Sequence, residues 1–517
     1  MLAYSHPTVA YYITTPIYYV NAKPHLGHAY TTLAADVLAR HMRQRGDEVF
    51  FLTGTDEHGE PVAQVAEREG VSPRELADRN VVHFQGMAER LDITNDFFIR
   101  TTDPEHEAAV QRFMQRIYDN GDIYEGVYEG WYCPNCADFK TEQELLDGNR
   151  CPIHKIVLEK VREQNWFFRL SSYQERLERL YAEQPDFAMP RIRYNEALSF
   201  IKGGLEDVSV SRPKLQWGVR VPWDPDQVFY VWFDALLNYW TALEYARPGE
   251  DLTEVFWPPA IQLIGKDILK FHSVFWPAML MAGGVDLPRH LFVHGFLLMQ
   301  GEKMSKTLGN VLDPFQVIDM YGTDALRYYC FREVSFGQDG SISTEGFEAR
   351  YTTELANEYG NLASRTLAMI DRYRDARVPE APASTALASD FNGLAQMVCE
   401  RLDRVELTLA LDEIWHRVRR LNRYVEEKAP WNLAKDESES GRLDEVLYSL
   451  AEGLRVLTVL LYPYMPATAS RLLETVGSAN VDLPRIAEAE FGARPGGYEI
   501  AKLPPLFPKI EPGEQAA

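Results

Sequence analysis

The hydrophobic pattern divides the chain into two halves of different character. Residues 8–13 (Thr-Val-Ala-Tyr-Tyr-Ile) predict a buried strand. From Leu26 apolar positions recur at helical spacing (Leu26, Tyr30, Leu33, Ala34, Val37, Leu38, His41) until Arg45-Gly46-Asp47 stops them. Residues 49–52 (Val-Phe-Phe-Leu) form a second apolar strand. This is a β-α-β unit, whose crossover is right-handed and whose strands are parallel. Residues 101–121 predict another helix, and the aromatic, Gly- and Cys-containing stretch 124–166 predicts short strands around a knuckle. Residues 228–233 and 261–264 return to buried-strand character. A parallel sheet is thus interrupted by an insertion of about a hundred residues. Beyond Glu354 the pattern turns helical, with one apolar stripe of Leu411, Ile414, Trp415, Val418, Leu421 and Val425. Residues 376–390 read as a connecting loop, and the tail from Pro495 as irregular chain.

Composition narrows the class. The chain has 517 residues, 46% hydrophobic and 25% charged, which excludes wholesale disorder. Lys and Arg total 53 against 76 Asp and Glu, a net charge of −23, so any nucleic acid must find a local basic patch in a repelling field. Residues 1–10 lack the basic flank and apolar core of a signal peptide, and no apolar run reaches the ~18 residues of a membrane span. Three of the five cysteines cluster at metal-ligand spacing, which suits a reducing, cytoplasmic compartment.

Three motifs carry chemistry. Pro24-His25-Leu26-Gly27-His28 lies between the first strand and its helix. Free N–H groups and the dipole favour anions at a helix N-terminus, and Gly27 lets a base or phosphate approach the backbone. The two imidazoles either stabilise a phosphoryl group in transit or are unrelated histidines. Gly301-Glu302-Lys303-Met304-Ser305-Lys306-Thr307-Leu308-Gly309 offers two mobile ammonium groups able to follow pyrophosphate, or is a solvated charged loop. Cys133-Pro134-Asn135-Cys136 and Cys151-Pro152-Ile153-His154 form a C-x2-C…C-x2-H pattern. Three thiolates and one imidazole suit one tetrahedral, closed and therefore structural Zn²⁺; a disulfide or buried free thiols are the bland alternative. Cys330 and Cys399 stand alone as packing residues.

The histidine and lysine motifs, at opposite ends of a split parallel sheet, resemble the two signatures of class I aminoacyl-tRNA synthetases. Further segments narrow the match: Ile17-Tyr18-Tyr19-Val20-Asn21, Thr53-Gly54-Thr55-Asp56-Glu57-His58-Gly59, Tyr230-Val231-Trp232-Phe233-Asp234-Ala235, Gly265-Lys266-Asp267-Ile268, Asn361-Leu362-Ala363-Ser364-Arg365 and Ala429-Pro430-Trp431. The series resembles the bacterial methionyl-tRNA synthetases in their single-zinc-knuckle form, over about residues 8–500. Leu26 replaces the usual isoleucine and Thr307 a common serine, both conservative departures.

That resemblance implies an α/β fold: a Rossmann-like parallel-sheet catalytic domain (1–115 and 229–294) split by a zinc-knuckle insertion (116–228). A stem-contact region with the lysine loop (295–355), an α-helical bundle that binds the anticodon (356–492) and a C-terminal tail (493–517) follow. It implies activation of L-methionine by ATP, with Mg²⁺, and transfer to initiator and elongator methionine tRNAs. His25, His28, Lys303 and Lys306 would be catalytic, and Gly27 and Asp267 would join them in binding ATP. Ile17, Tyr19, Asp56, Trp232, Tyr239, Phe271 and His272 would bind methionine, with Asp56 on the α-ammonium. Asn361, Arg365 and Trp431 would read the anticodon, beside a basic cluster of His416, Arg417, Arg419, Arg420 and Arg423. The absence of a further dimerisation module leads to the expectation of a monomer. Rival readings are a synthetase for leucine, isoleucine, valine or cysteine, a silent tRNA-binding protein, or a small-molecule adenylyltransferase.

Overall fold

The structure is a computed structural model that describes residues 9–133, 138–140, 142–299, 302–303 and 314–509. Its centre is a seven-stranded sheet. Strands β1 (Ala10–Thr14), β2 (Tyr18–Tyr19), β3 (Glu48–Asp56), β4 (Phe97–Arg100), β5 (Ala188–Met189), β6 (Ile261–Gly265) and β7 (His290–His294) all pair in parallel. β3 lies beside β1 and also contacts β2 and β4; beyond β1 the order runs β6, β7, β5. Both faces are covered, so side chains alternate between two cores: Tyr11, Ile13, Val49 and Phe51 enter one, Tyr12, Phe50 and Leu52 the other.

Helix α1 (Leu26–Arg45) returns from β1 to β3, and Gly46 ends it at φ 96° in the left-handed region. The sequence predicts one apolar stripe on this helix. The structure also buries its polar side, because the C-terminal helices pack there. Asp36 accepts from Arg40 at 2.7 Å and from Arg327 at 2.6 Å. Arg327 further donates to the carbonyls of Leu91, Pro463 and Tyr464. Burial raises the Asp36 carboxyl, but Arg327 and Arg40 outweigh it and hold it below its ordinary value. This ion network fixes α1 to the C-terminal half.

His41 is different. It is buried, and neither ring nitrogen has a partner among the described residues. Desolvation lowers its pKa to about 3. Since the unfolded chain takes up this proton near pH ~6.5, the stabilising effect is complete above that pH and is lost progressively as pH falls towards the folded value. His41→Met is therefore expected to flatten the acid side of the Tm–pH profile between about pH 7 and 4.5; an unchanged slope would contradict the buried neutral imidazole.

The region between β4 and β6 carries a long antiparallel hairpin, Ile123–Cys133 with Glu159–Phe168, whose tip holds the knuckle. It is not a detached insertion. Ala188–Met189 extends the central sheet, and Phe168, Leu177 and Tyr181 share its core, so the expected limits 116–228 enclose part of the sheet. Residues 228–233, expected as one strand, divide: Asp224–Phe229 pairs antiparallel with its neighbours, and Val231–Ala235 is helical. A short apolar run does not distinguish a strand from a buried helical turn. Within the expected loop 376–390, residues 385–391 are helical (Thr385–Phe391).

Helices Asn361–Arg374, Leu394–Asp403, Leu407–Lys428 and Ser440–Leu461 form the C-terminal bundle. All six stripe residues from Leu411 to Val425 are buried. The irregular tail packs on the bundle through Ile500, Leu506 and Phe507. No helix among the described residues is long and apolar enough to cross a membrane.

Candidate functional site

The carboxyl ends of β1, β3, β6 and β7 open onto a cleft of about 410 Å³, the expected place for a ligand in an open α/β sheet. Ile17, Tyr19, His25, Gly27, His28, Asp56, Trp232, Tyr239, Asp267 and His272 all line it. Phe271 stands behind Trp232, the rings parallel with centroids 3.9 Å apart. Lys303 lies on a short strand, Glu302–Lys303, paired with Leu297–Met299. Lys306 and Cys136 lie outside the described residues.

The two histidines start α1 as reciprocal caps. His25 Nδ1 accepts the Gly27 N–H at 3.0 Å, and His28 Nδ1 accepts the His25 N–H at 3.1 Å. This is a capping box built from imidazoles, which explains the three-residue spacing. The rings stack at 3.8 Å. With both Nδ1 atoms accepting, each neutral ring carries its proton on Nε2 and is a donor there. A Cβ on residue 27 would lie 2.9 Å from His25 Cε1, so Gly27 makes room for the His25 ring.

At the other end of the cleft the surfaces are aromatic and uncharged. Burial lowers His272 to about 4. Its Nδ1–H donates to the Ile268 carbonyl at 3.1 Å, and its Nε2 accepts the Tyr239 hydroxyl at 2.8 Å. A single wide helical turn, Phe271–Phe275, sets these rings. Asp56 closes β3. It is buried, and its Oδ1 has no hydrogen-bond partner among the described residues. Burial pushes its carboxyl well above the usual range, Asp234 adds to this, and His58 opposes it. An unsatisfied buried carboxylate oxygen at the mouth of a cleft is a seat for a cation.

Cys133 and Cys151, both buried, place their sulfurs 3.8 and 3.9 Å from His154 Nδ1. Such separations approximate the edges, roughly 3.5 Å, of a tetrahedron with metal–sulfur and metal–nitrogen bonds of ~2.3 and ~2.0 Å. The donor set therefore fits a metal ion. Cys330 and Cys399 lie apart, and burial pushes their thiols up to about 12 and about 11, as packing residues require.

In the C-terminal bundle, Ala429 at φ 41° ends helix Leu407–Lys428 and turns Trp431 outward, 40% exposed. Asn361 is exposed at the start of its helix, and Arg365 faces Glu426 at 3.5 Å. The basic cluster expected nearby is largely neutralised. Arg417 pairs with Glu413, Arg419 with Glu354 and Glu358, and Arg420 with Asp390 and Glu427. The acidic partners come from other helices or from other turns of the same helix, which a count of basic residues does not register.

The sequence reading did not single out His294, Gly295, Phe296 and Leu297, which also line the cleft. His294 Nε2 meets Thr31 Oγ1 of α1 at 2.7 Å. It also missed His106 and the structural role of His58 and Asp234. One signal was present: Asp234 interrupts an apolar run, and a carboxylate there needs partners.

Comparison with known proteins agrees with this geometry. A family described as "tRNA synthetases class I (M)" matches residues 11–159 and 141–367, and one described as "Anticodon binding domain of methionyl tRNA ligase" matches residues 378–517. A methionine–tRNA ligase of Caldanaerobacter subterraneus is 46% identical over 98% of this chain and 80% of that protein. One of Streptomyces coelicolor is 46% identical over 97% of each. Among solved structures, the Mycobacterium tuberculosis methionyl-tRNA synthetase in complex with methionyl-adenylate superposes with a TM-score of 0.93 at 42% identity, covering 97% of this chain and 100% of that one. The free form of that enzyme gives 0.85 at 39% identity, covering 98% and 99%.

Proposed function

The chain belongs to the class I methionyl-tRNA synthetases, and we propose how its own residues divide the work of a methionine–tRNA ligase. The observation that carries the proposal is Asp56: a buried carboxyl oxygen without a hydrogen-bond partner among the described residues, in a cleft with an uncharged aromatic end. It receives the α-ammonium of methionine. Ile17, Tyr19, Trp232, Tyr239 and His272 surround the thioether, and Phe271 stiffens the Trp232 face. His272 is neutral and its Nε2 is engaged by Tyr239, so the sulfur meets an apolar wall.

One methionine carboxylate oxygen attacks the α-phosphorus of ATP, and the bond to the pyrophosphate oxygen breaks. Charge grows on the phosphoryl oxygens. The Nε2–H groups of His25 and His28 and the N-terminus of α1 stabilise it there. Lys303 and Lys306 neutralise the departing pyrophosphate, and Asp267 holds the ribose. Mg²⁺ entering with ATP supplies further neutralisation of phosphate charge. The 3′-terminal adenosine of tRNA then attacks the adenylate carbonyl and expels AMP.

Cys133, Cys136, Cys151 and His154 are proposed to hold one Zn²⁺ that ties the hairpin tip together; the fit of the three described donors supports this. The proposal extends to initiator and elongator methionine tRNAs as substrates, a monomeric and cytoplasmic enzyme, and the division of the chain into domains given above, with strand Ala188–Met189 counted to the catalytic sheet rather than the insertion. Asn361, Arg365 and Trp431 are proposed to read the anticodon, supported by the outward turn of Trp431. Trp431→Ala is expected to reduce aminoacylation of both tRNAs more than roughly tenfold, since base stacking is worth ~1–3 kcal/mol, while ATP–pyrophosphate exchange is unchanged. Equal losses in the two assays would contradict an anticodon role.

A further inference from the structure

Behind Asp56 lies a buried charged cluster that the steps above do not use. Asp234, in helix Val231–Ala235, accepts at both oxygens: from His58 Nδ1 at 2.6 Å and from His106 Nε2 at 2.8 Å. All three side chains are at most 2% exposed. A carboxylate only accepts, so both of these ring nitrogens carry protons. The other nitrogen of His106, Nδ1, meets an uncharged partner, the Thr241 hydroxyl, at 2.7 Å. His58 differs. Its Nε2 faces a second carboxylate, Glu107, at 3.5 Å. Both of its nitrogens therefore point at anions, which is the surrounding of an imidazolium.

The peptide on either side is fixed. Trp217 donates its indole N–H to the Glu57 carbonyl at 2.6 Å and accepts the Gly59 N–H at 3.3 Å. The Glu57 carboxylate is occupied by Arg100 through two bonds of 2.8 and 2.9 Å, and by Thr55 and Thr102. The groups that act on Asp56 are then Asp234 and Glu57 (itself paired), which oppose its ionisation, His58, whose ring and backbone N–H both favour it, and the nearby Tyr239 hydroxyl. The only cation among them is His58.

We propose that His58, clamped between Asp234 and Glu107, is a positioning residue for methionine that eases ionisation of the buried Asp56 carboxyl as the ammonium arrives; the proposal rests on the role of Asp56 given above. His58 does not touch the reacting atoms. It offsets the Asp234 charge near the seat of the ammonium, so that Asp56 gives up its proton more readily when methionine binds.

The test is methionine-dependent ATP–pyrophosphate exchange by His58→Gln, His106→Asn and Asp56→Asn across about pH 6 to 8.5. Removing the cation in His58→Gln is expected to raise the methionine KM roughly tenfold near pH 7 and to move the acidic limb of kcat/KM up by about one pH unit. The deficit narrows at the alkaline end, and kcat stays within about threefold. His106→Asn removes a partner of Asp234 that does not act on Asp56 and leaves the limb in place. A pH-independent loss in His58→Gln, or the same limb as the parent, overturns the proposal while Asp56→Asn still raises the methionine KM by roughly two orders of magnitude or more. If Asp56→Asn keeps the parent KM, the reading of Asp56 itself is wrong. The parent enzyme gives an independent answer if a variant fails to fold: ¹⁵N-histidine spectra near pH 7.5 are expected to show both His58 nitrogens protonated, and a neutral ring overturns the proposal.

Discussion

Asp56→Asn is expected to lower kcat/KM for methionine in ATP–pyrophosphate exchange by two to three orders of magnitude, mainly through KM, if Asp56 seats the ammonium as proposed. Removing one member of a buried, hydrogen-bonded charge pair costs about 2–5 kcal/mol, and each ~1.4 kcal/mol is tenfold. The ammonium–carboxylate contact is made equally in the ground and transition states, so its loss appears in KM. The free protein is expected to respond in the opposite direction. Asp56 is buried with an unsatisfied oxygen and with Asp234 close by. Asparagine removes the cost of holding an ionisable carboxyl there, so the Tm of the ligand-free variant is expected to rise. A mutant that loses both stability and activity would indicate that Asp56 is structural.

The second large effect concerns His28. Its Nδ1 caps the His25 N–H, and its Nε2–H is the donor proposed for the phosphoryl oxygens. Glutamine is the usual partner at this third helical position of a capping box. His28→Gln thus keeps the cap and removes the imidazole donor. The expected result is a fall in kcat of roughly 10²–10³-fold, as for the loss of one preorganised donor, with methionine KM and Tm nearly unchanged. His28→Ala loses the cap as well and costs an additional ~0.5–2 kcal/mol of stability. If glutamine retains most of the activity, the histidines serve only to start α1.

Much of this was legible in the sequence where the signal is local. The limits of α1 follow from apolar periodicity and from Gly46. The histidine spacing marked the cleft, although not the capping box that fixes both tautomers. Contacts between distant segments were not legible. Asp36 and Arg40 look like the solvated side of an amphipathic helix, yet Asp36 is buried by Arg327, 291 residues away. His58 meets Asp234 across 176 residues, in a segment whose apolar neighbours suggested a strand. The arginines of helix Leu407–Lys428 gave the opposite error: periodicity placed the helix correctly, but charge alone did not show that Glu354, Glu358 and Asp390 occupy two of them. The cysteine spacing was the strongest local signal, since two tight turns suffice to bring the donors together.

The most direct test of the account is ATP–pyrophosphate exchange with methionine, norleucine, leucine, isoleucine, valine and cysteine in the absence of tRNA. Methionine is expected to be activated best. Norleucine should follow within roughly two orders of magnitude, because an apolar pocket separates near-isosteric side chains by only ~1–3 kcal/mol. Branched and short side chains should trail far behind. Exchange strongest with one of those, or norleucine below leucine, would contradict an apolar pocket anchored at Asp56.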